Sequence, residues 1–425
     1  MTTAPTEVAA VPAAKPPSLW RNRAFNLLWG SQALSDLGTS MSSLALPLLT
    51  LAITHSPIQA GAVGTSSALV RLACQLPAGV VTDRIDRRRV MQVADVVRLV
   101  AYALLAWAVL TGRVTLVWIL VTAMVTAIFS VAHENAQFSA VRNVVALEQV
   151  PEATARNEAR SAAVSLIGPP IGGALYGVAR SLPFLADAVS YLLSLIGISL
   201  IRRPMQQERS GPREHPVKEL VEGVRFTLGE PFLRAVLFIA PPINLVFNGL
   251  GFAIIVILQQ QGTPPALIGA VDTIFGIGLL GGALIAPVLS RKVPLRRLIL
   301  GITWISATVI VFGAFLTGSI LVAAPLMIAG ALAPACNAAL FGYQAAVTPD
   351  RLQGRVMSVI IMCAMSLASF SALIGGVLVD QLGGPATILA FSGIMAIAAV
   401  AATISKGVRK MRPLAEVAAE GGAPS

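Results

Sequence analysis

The run Gly79-Val-Val-Thr-Asp83-Arg84-Ile-Asp86-Arg87-Arg88-Arg89 constrains this chain more than any other stretch of its length. It packs four arginines and two aspartates between two apolar runs, Pro57 to Val81 and Val90 to Leu110. Each flanking run is long enough to span a bilayer, which takes about 20 residues. So charged a turn cannot lie in hydrocarbon, where an unpaired ionic group is expensive. The chain must leave the membrane at this turn and re-enter at once.

Composition agrees. The 425 residues are 56% hydrophobic and only 12% charged, whereas a soluble domain is about a quarter charged. Twelve apolar segments are predicted to span: 24–50, 58–81, 90–111, 115–138, 157–178 and 183–201, then 233–257, 266–290, 298–317, 320–345, 356–378 and 386–405. The longest polar interval, Arg202 to Glu230, separates six from six. The fold expected is therefore all-α and integral to the membrane, in two six-helix halves at 19–201 and 233–410. Residues 202–232 form the central cytoplasmic loop, and the tails 1–18 and 411–425 lack an apolar core and read as disordered. In the loop, Val217, Leu220, Val221, Val224 and Leu228 fall at helical spacing. They predict an amphipathic helix, lying on the membrane surface or acting as a solvated linker.

The halves echo each other. A short basic turn recurs at 290–297, and the Gly cluster of 166–177 is paralleled at 372–383. Paired repeats of this kind are expected to rock around a site near the membrane midplane.

A net charge of +11 raises the question of nucleic acid, and the distribution of charge answers it. With the N-terminus in the cytoplasm and twelve crossings, 27 of the 31 basic residues fall in cytoplasmic segments. Only Arg71, Arg98, Arg113 and Arg180 lie elsewhere. This is the positive-inside pattern; it predicts a multi-pass protein of the cell membrane with both termini cytoplasmic and no nucleic-acid partner. Cys74, Cys336 and Cys363 each stand alone in an apolar run, so neither a metal site nor a disulfide framework is expected. No phosphate-binding Gly-x-x-x-x-Gly-Lys loop, His-Glu-x-x-His pair or serine elbow occurs, and the three histidines at 55, 133 and 215 are scattered. An integral-membrane enzyme is therefore the weaker alternative, and no cofactor is expected.

The charged turn resembles the loop signature of the major facilitator superfamily, Gly-x-x-x-Asp-Arg-x-Gly-Arg-Arg, with Asp86 where the superfamily has Gly. Further segments are similar to one branch, the macrolide-efflux and enterobactin-export type of transporter. These are Asn22-Arg-Ala-Phe25-Asn-Leu-Leu28-Trp29, Asp95-Val-Val-Arg98, Pro183-Phe-Leu-Ala-Asp187-Ala-Val-Ser190-Tyr191, and Thr348-Pro-Asp350-Arg-Leu-Gln-Gly354-Arg355-Val-Met-Ser358. The resemblance implies a secondary active exporter of an amphipathic small organic compound, driven by proton antiport through alternating access. The expected partners are that small molecule, protons and the lipid bilayer, with a monomer as working unit. A proton-coupled importer is the alternative. It is disfavoured because Gly168-Pro169-Pro170-Ile171-Gly172-Gly173 resembles the antiporter signature of exporters, with Val164 where the fullest pattern has Gly. Proline removes an intrahelical bond and glycines admit a close neighbour, so Gly168, Pro169, Gly172 and Gly173 are expected at an outer gate. The resemblance also implies that Asp83 meets the start of the helix near Arg355. Gly79, Asp83, Arg84, Arg87, Asp95 and Arg98 are then read as an inner-gate network.

Ionisable groups within the spans are functional candidates by default. Asp36 and Arg71 lie about 18 Å and about 15 Å along their helices at 1.5 Å per residue, and so are expected to pair. Glu134, beside His133 and Asn135, is a second candidate for proton or substrate, with Arg142 or Arg160 as alternative partners. Asp187 and Asp272 lie near the outer helix ends and are expected in a solvated vestibule. Asn244, Asn248 and Asn337 are the polar groups that the second half offers a substrate.

Overall fold

The computed structural model describes residues 18–202, 205, 216–409 and 411. After a short turn of 3-10 helix, the first half runs α1 (Arg23–Thr54), α2 (Pro57–Arg84), α3 (Arg87–Leu110), α4 (Leu116–Val144), α5 (Val150–Val178) and α6 (Leu182–Ser199). A connecting helix α7 (Pro216–Gly229) precedes α8 (Pro231–Gln260), α9 (Pro265–Lys292) and α10 (Leu295–Gly313). Then come α11 (Ala323–Gly330), α12 (Ala333–Val347), α13 (Gln353–Ala368), α14 (Ser371–Ile404) and α15 (Lys406–Arg409). There is no strand among the described residues.

Local chemistry sets the ends of the helices. The Asn22 side chain accepts from the Phe25 N–H at 3.2 Å and opens α1. Ser56 does the same for α2 through Gln59, with Pro57 at the first helical position, where its missing N–H costs nothing. Asp86 opens α3 by accepting from the Arg89 N–H at 3.1 Å. The residue that departs from the superfamily loop pattern is thus a helix cap.

Ten segments are long and apolar enough to cross a membrane, and one of them, Asp350–Ile404, is 55 residues long. It breaks at Gly383, whose φ of 75° and ψ of 175° are open to glycine alone. A straight helix would hold Ser371 and Phe391 about 30 Å apart. Yet the Ser371 carbonyl and the Phe391 ring both crowd Gly249 of α8. The chain therefore folds back at Gly383, and this segment supplies two crossings. With α2, these limbs complete the twelve crossings that the apolar runs predicted. Phe315 (81% exposed) and Ile397 (71%) stand on the outer surface, where lipid replaces water as the apolar solvent.

One end of the bundle carries the turns at 84–87, 144–150, 292–295 and 347–353, with Arg87, Arg88, Arg156, Lys292, Arg296 and Arg351 in or beside them, and is the basic end. The two halves meet near the opposite end, along two helix pairs. In the first pair, a Cβ on Gly173 of α5 would stand 2.1 Å from the Pro265 carbonyl oxygen of α9. A Cβ on Gly269 of α9 would stand 2.3 Å from that of Pro169. In the second pair, Gly61 of α2 would meet the Ala372 carbonyl at 2.4 Å, and Gly376 of α14 the Pro57 carbonyl at 2.3 Å. No side chain fits at any of the four positions, so backbone lies directly on backbone. Gln259 adds a bond to the Leu48 carbonyl at 2.8 Å, and Thr65 accepts from the Leu373 N–H at 3.0 Å. Toward the basic end the packing stops. Around Gly79, about five turns below Gly61 on the same face of α2, nothing lies within 4 Å of where a Cβ would stand.

The connecting helix settles on protein. Gly223 of α7 lies against the Arg355 backbone, and Glu222 pairs with Arg351 at 2.8 Å and with Arg355. Val221 remains exposed, while the side chains of Val217 and Leu220 lie outside the described residues. The expected amphipathic helix thus spends its small-residue face on α13.

Gly269→Val should prop the α5–α9 seam open. A cysteine introduced at Leu166 should then react faster with a membrane-impermeant maleimide added from the side opposite the basic end. An unchanged labelling rate would mean that the seam tolerates a side chain.

Candidate functional site

Below the seam the halves diverge around a cavity of about 690 Å³. Its first-half wall is α2, with Ala68, Arg71, Leu72 and Gln75; its second-half wall is Asn248 of α8 with Ser358, Met362, Met365 and Ser369. One wall is ionic and the other carries sulfur, amide and hydroxyl groups.

Arg71 pairs with Glu134 and not with Asp36. One guanidinium nitrogen donates to both carboxylate oxygens of Glu134, at 2.8 and 3.0 Å. Asp36 instead meets Arg160 of α5 at 3.0 Å and accepts from Gln32 at 2.6 Å. The expected Asp36–Arg71 pair matched the two residues in depth but not in direction around their helices. The Arg71 face of α2 turns to α4, and the Asp36 face of α1 turns to α5. The two pairs also differ in setting. Arg71 and Glu134 are 44% and 50% exposed, whereas Arg160 is only 9% exposed beside an Asp36 at 30%. The sequence offers Arg160 as an alternative partner for Glu134. Its partnership with Asp36 was missed, since four residues into an apolar run it looks like a border charge.

The antiporter-like run sits where two helices converge on α5. Gly168 faces Ser40 and Gly172 faces the Met41 backbone, both on α1, while Gly173 faces α9. Pro170 has no N–H, which leaves the Leu166 carbonyl without its helical donor. Thr273 of α9 supplies one at 2.6 Å. The second half repeats the device: Pro241 frees the Leu237 carbonyl, and the Cys363 thiol donates to it at 3.3 Å. Both proline gaps are filled from another helix, so each ties two crossings together.

The residues expected at an inner gate separate in space. The side chain of Asp83 lies outside the described residues, and Arg84 is exposed at the end of α2. Arg87 is buried and donates to the Ser139 and Met205 carbonyls at 3.2 and 3.1 Å, which joins α3 to α4 and to the start of the central loop. Asp95 and Arg98 lie inside the first half, 0% and 3% exposed, and bond to each other at 2.5 Å. Ser194 donates to Asp95 at 2.8 Å, His133 lies 3.4 Å from it, and Arg98 covers the Tyr191 ring at 4.3 Å. Asp187 is no vestibule residue. It is fully buried on α6 and takes bonds from Ser42 and Ser190, because α1 passes close at Gly38. Asp272 is half-buried on α9. Asn244 donates back to the Ala240 carbonyl and Asn248 to that of Asn244; only Asn248 borders the cavity described above. Asn337 is exposed on α12.

Residues 15–421 match the family described as transmembrane secretion effector, a branch of the major facilitator superfamily. The chain belongs to this family. It is 26% identical to the multidrug efflux pump Tap of Mycobacterium tuberculosis, over 88% of this chain and 90% of Tap. It is 25% identical to the enterobactin exporter EntS of Escherichia coli O1:K1, over 78% and 80% of the two chains. Among solved structures, a bacterial homolog of the human lysosomal transporter Spinster, in an inward-facing and unoccupied conformation, matches with a TM-score of 0.69 at 15% identity, covering 96% of this chain and all of that one. A bacterial homologue of the iron transporter ferroportin, in an inward-facing state, matches at 0.66 and 15%, over 91% and 99%. The chain is accordingly a multi-pass membrane transporter of the efflux type and not an enzyme.

Two outcomes follow from the pairing. Arg160→Gln strands a mostly buried Asp36 and should cost about 2–4 kcal/mol of stability, against less than about 1 kcal/mol for Arg71→Gln at its wetter site. Melting temperatures of the two purified variants check the order, and equal losses would contradict it. Thr273→Val leaves the Leu166 carbonyl bare and should cost about 1–2 kcal/mol, with Thr273→Ser restoring most of it. Melting of that pair of variants gives the answer.

Proposed function

We propose that this protein is a secondary active exporter of an amphipathic organic compound, driven by protons moving the opposite way. The observation that carries the reading is the cavity, closed by backbone contact at one end and open at the other, with the Arg71–Glu134 pair half-exposed on its wall. The 27 basic residues of the connecting segments and termini support placing the basic end, and both termini, at the cytoplasmic face of the cell membrane. On that assignment the cavity is open to the cytoplasm and ready to load. Relatives named for multidrug efflux and for enterobactin export support the outward direction.

Glu134 can accept both bonds from Arg71 only while it is ionised. In this conformation the pair is intact and within reach of water, the arrangement this reading gives to the carrier before it takes up a proton. Rocking about the glycine seam would bring Met362 and Met365 of α13 over Arg71 and open the far end. A proton taken up there by Glu134 removes one acceptor and loosens Arg71, which resets the carrier as the halves return. Both pair members ride on the first half, so the pair survives the rocking itself and responds to the proton.

Glu134→Gln should abolish accumulation driven by a pH gradient in everted membrane vesicles, while exchange of labelled for unlabelled compound at equilibrium persists. Accumulation at the unmodified level by this variant would remove Glu134 as the proton carrier.

A further inference from the structure

Beside the central cavity, α4 and α5 border a separate, open polar niche of about 330 Å³, lined by Glu134, Asn135, Gln137, Asn157, an exposed Glu158 and Arg160. Glu134 lines the niche and reaches from it to Arg71 on the cavity wall. We propose that this niche is the polar subsite for the transported compound, and that Glu158 selects compounds bearing a protonated amine beside an oxygen acceptor. This rests on the exporter reading above and names its substrate chemistry.

Counting charge around the niche comes first. Three carboxylates, Asp36, Glu134 and Glu158, stand against two guanidiniums, Arg71 and Arg160. Asp36 holds Arg160 and Glu134 holds Arg71, while Glu158 has no ion-pair partner among the described residues. The neighbouring acid on the same helix contrasts with it: Glu152 is tied to Arg156 at 2.7 Å, one turn along. Glu158 lies within Coulombic reach of Arg160 but pairs with no described side chain, so carboxylates outnumber guanidiniums around the niche, which favours a cation over an anion.

A second, independent feature concerns Arg160. Its side chain is only 9% exposed, and one nitrogen is committed to Asp36. Its Nε and Nη1 are buried with no acceptor among the described residues. A planar guanidinium presents five donors in a fixed fork, and buried donors are costly to leave bare. The niche thus lacks a cation opposite Glu158 and an oxygen opposite Arg160. A protonated amine with an adjacent hydroxyl, ether or carbonyl oxygen supplies both within one small group. The apolar remainder of such a molecule extends past Glu134 into the cavity, against Met362 and Met365, whose flexible thioethers adapt to irregular shapes. A bare quaternary cation satisfies Glu158 but not Arg160, and an anion meets Glu158 head on.

The test uses two naphthyl ethers of nearly equal shape: propranolol, an aryloxy amino alcohol, and its neutral glycol analogue, in which a hydroxyl replaces the amine. Equilibrium binding to the full-length protein in lipid nanodiscs is followed by naphthyl fluorescence. The unmodified protein should bind the amine more tightly than the glycol. Glu158→Gln should weaken the amine about fivefold, as for a partly exposed charge contact, and leave the glycol unchanged. Glu158→Asp should keep most of the preference. Equal affinities of the unmodified protein for the two compounds, measurable or nil, overturn the assignment. So does a Glu158→Gln variant with normal melting that loses both compounds alike. Gradient-driven accumulation in everted vesicles is scored separately. Amine-selective binding without accumulation strikes the exporter reading and upholds the niche; accumulation without amine selectivity strikes the niche alone.

Discussion

Backbone lying on backbone along two glycine-lined seams is the contact on which the rest of the architecture depends. Between α5 and α9, and again between α2 and α14, a carbonyl oxygen of one half occupies the space that a Cβ of the other would need. In a bilayer the hydrophobic effect does not drive helix against helix, because lipid is as apolar as leucine. Close dispersion contact and filled polar groups must hold the halves instead. The seams provide the first, and Gln259, Thr65 and Thr273 provide the second with bonds across the boundary. Because these contacts are confined to one end, the other end is free to part, and a cavity follows from the same geometry.

Each half must then be firm enough to move as a body. The first half gains that firmness from its polar interior. Asp95, Arg98, Ser194 and His133 link α3, α4 and α6, and Asp187 with Ser42 links α6 to α1. Such a network suits a single arrangement of helices, since any slip would strand a charge in a dry interior. The Arg71–Glu134 pair beside the cavity is wetter, and protons or substrate can reach it. Buried charge here fixes the body, and accessible charge does its chemistry. The second half compensates Pro241 in the same way, with the Cys363 thiol closing the gap that it leaves.

Much of this could be read from the residues in order. Apolar runs of spanning length predict the crossings, and charged turns between them predict which end each loop occupies, because hydrocarbon excludes ionic groups wherever they fall in the fold. The Gly-Pro run of α5 predicts a close joint, since glycine spacing and a missing N–H are properties of the chain itself. These features need only local sequence and the solvent.

Partnerships were another matter. Depth along a helix follows from counting residues at 1.5 Å each, and it placed Asp36 and Arg71 level with one another. Which neighbour a side chain meets depends on the direction each helix face takes once six helices have packed, and no single helix contains that information. Hence Arg71 went to Glu134, Asp36 went to Arg160, and Asp187 was drawn from an expected vestibule into the core by the approach of α1 at Gly38. Sequence alone determined that this chain is an all-helical protein that crosses the membrane many times. Only the tertiary structure decided which charges are paired, which are buried, and that Glu158 forms no ion pair among the described residues. Partition between water and lipid is a sum over residues, whereas an ion pair requires two helices to face each other.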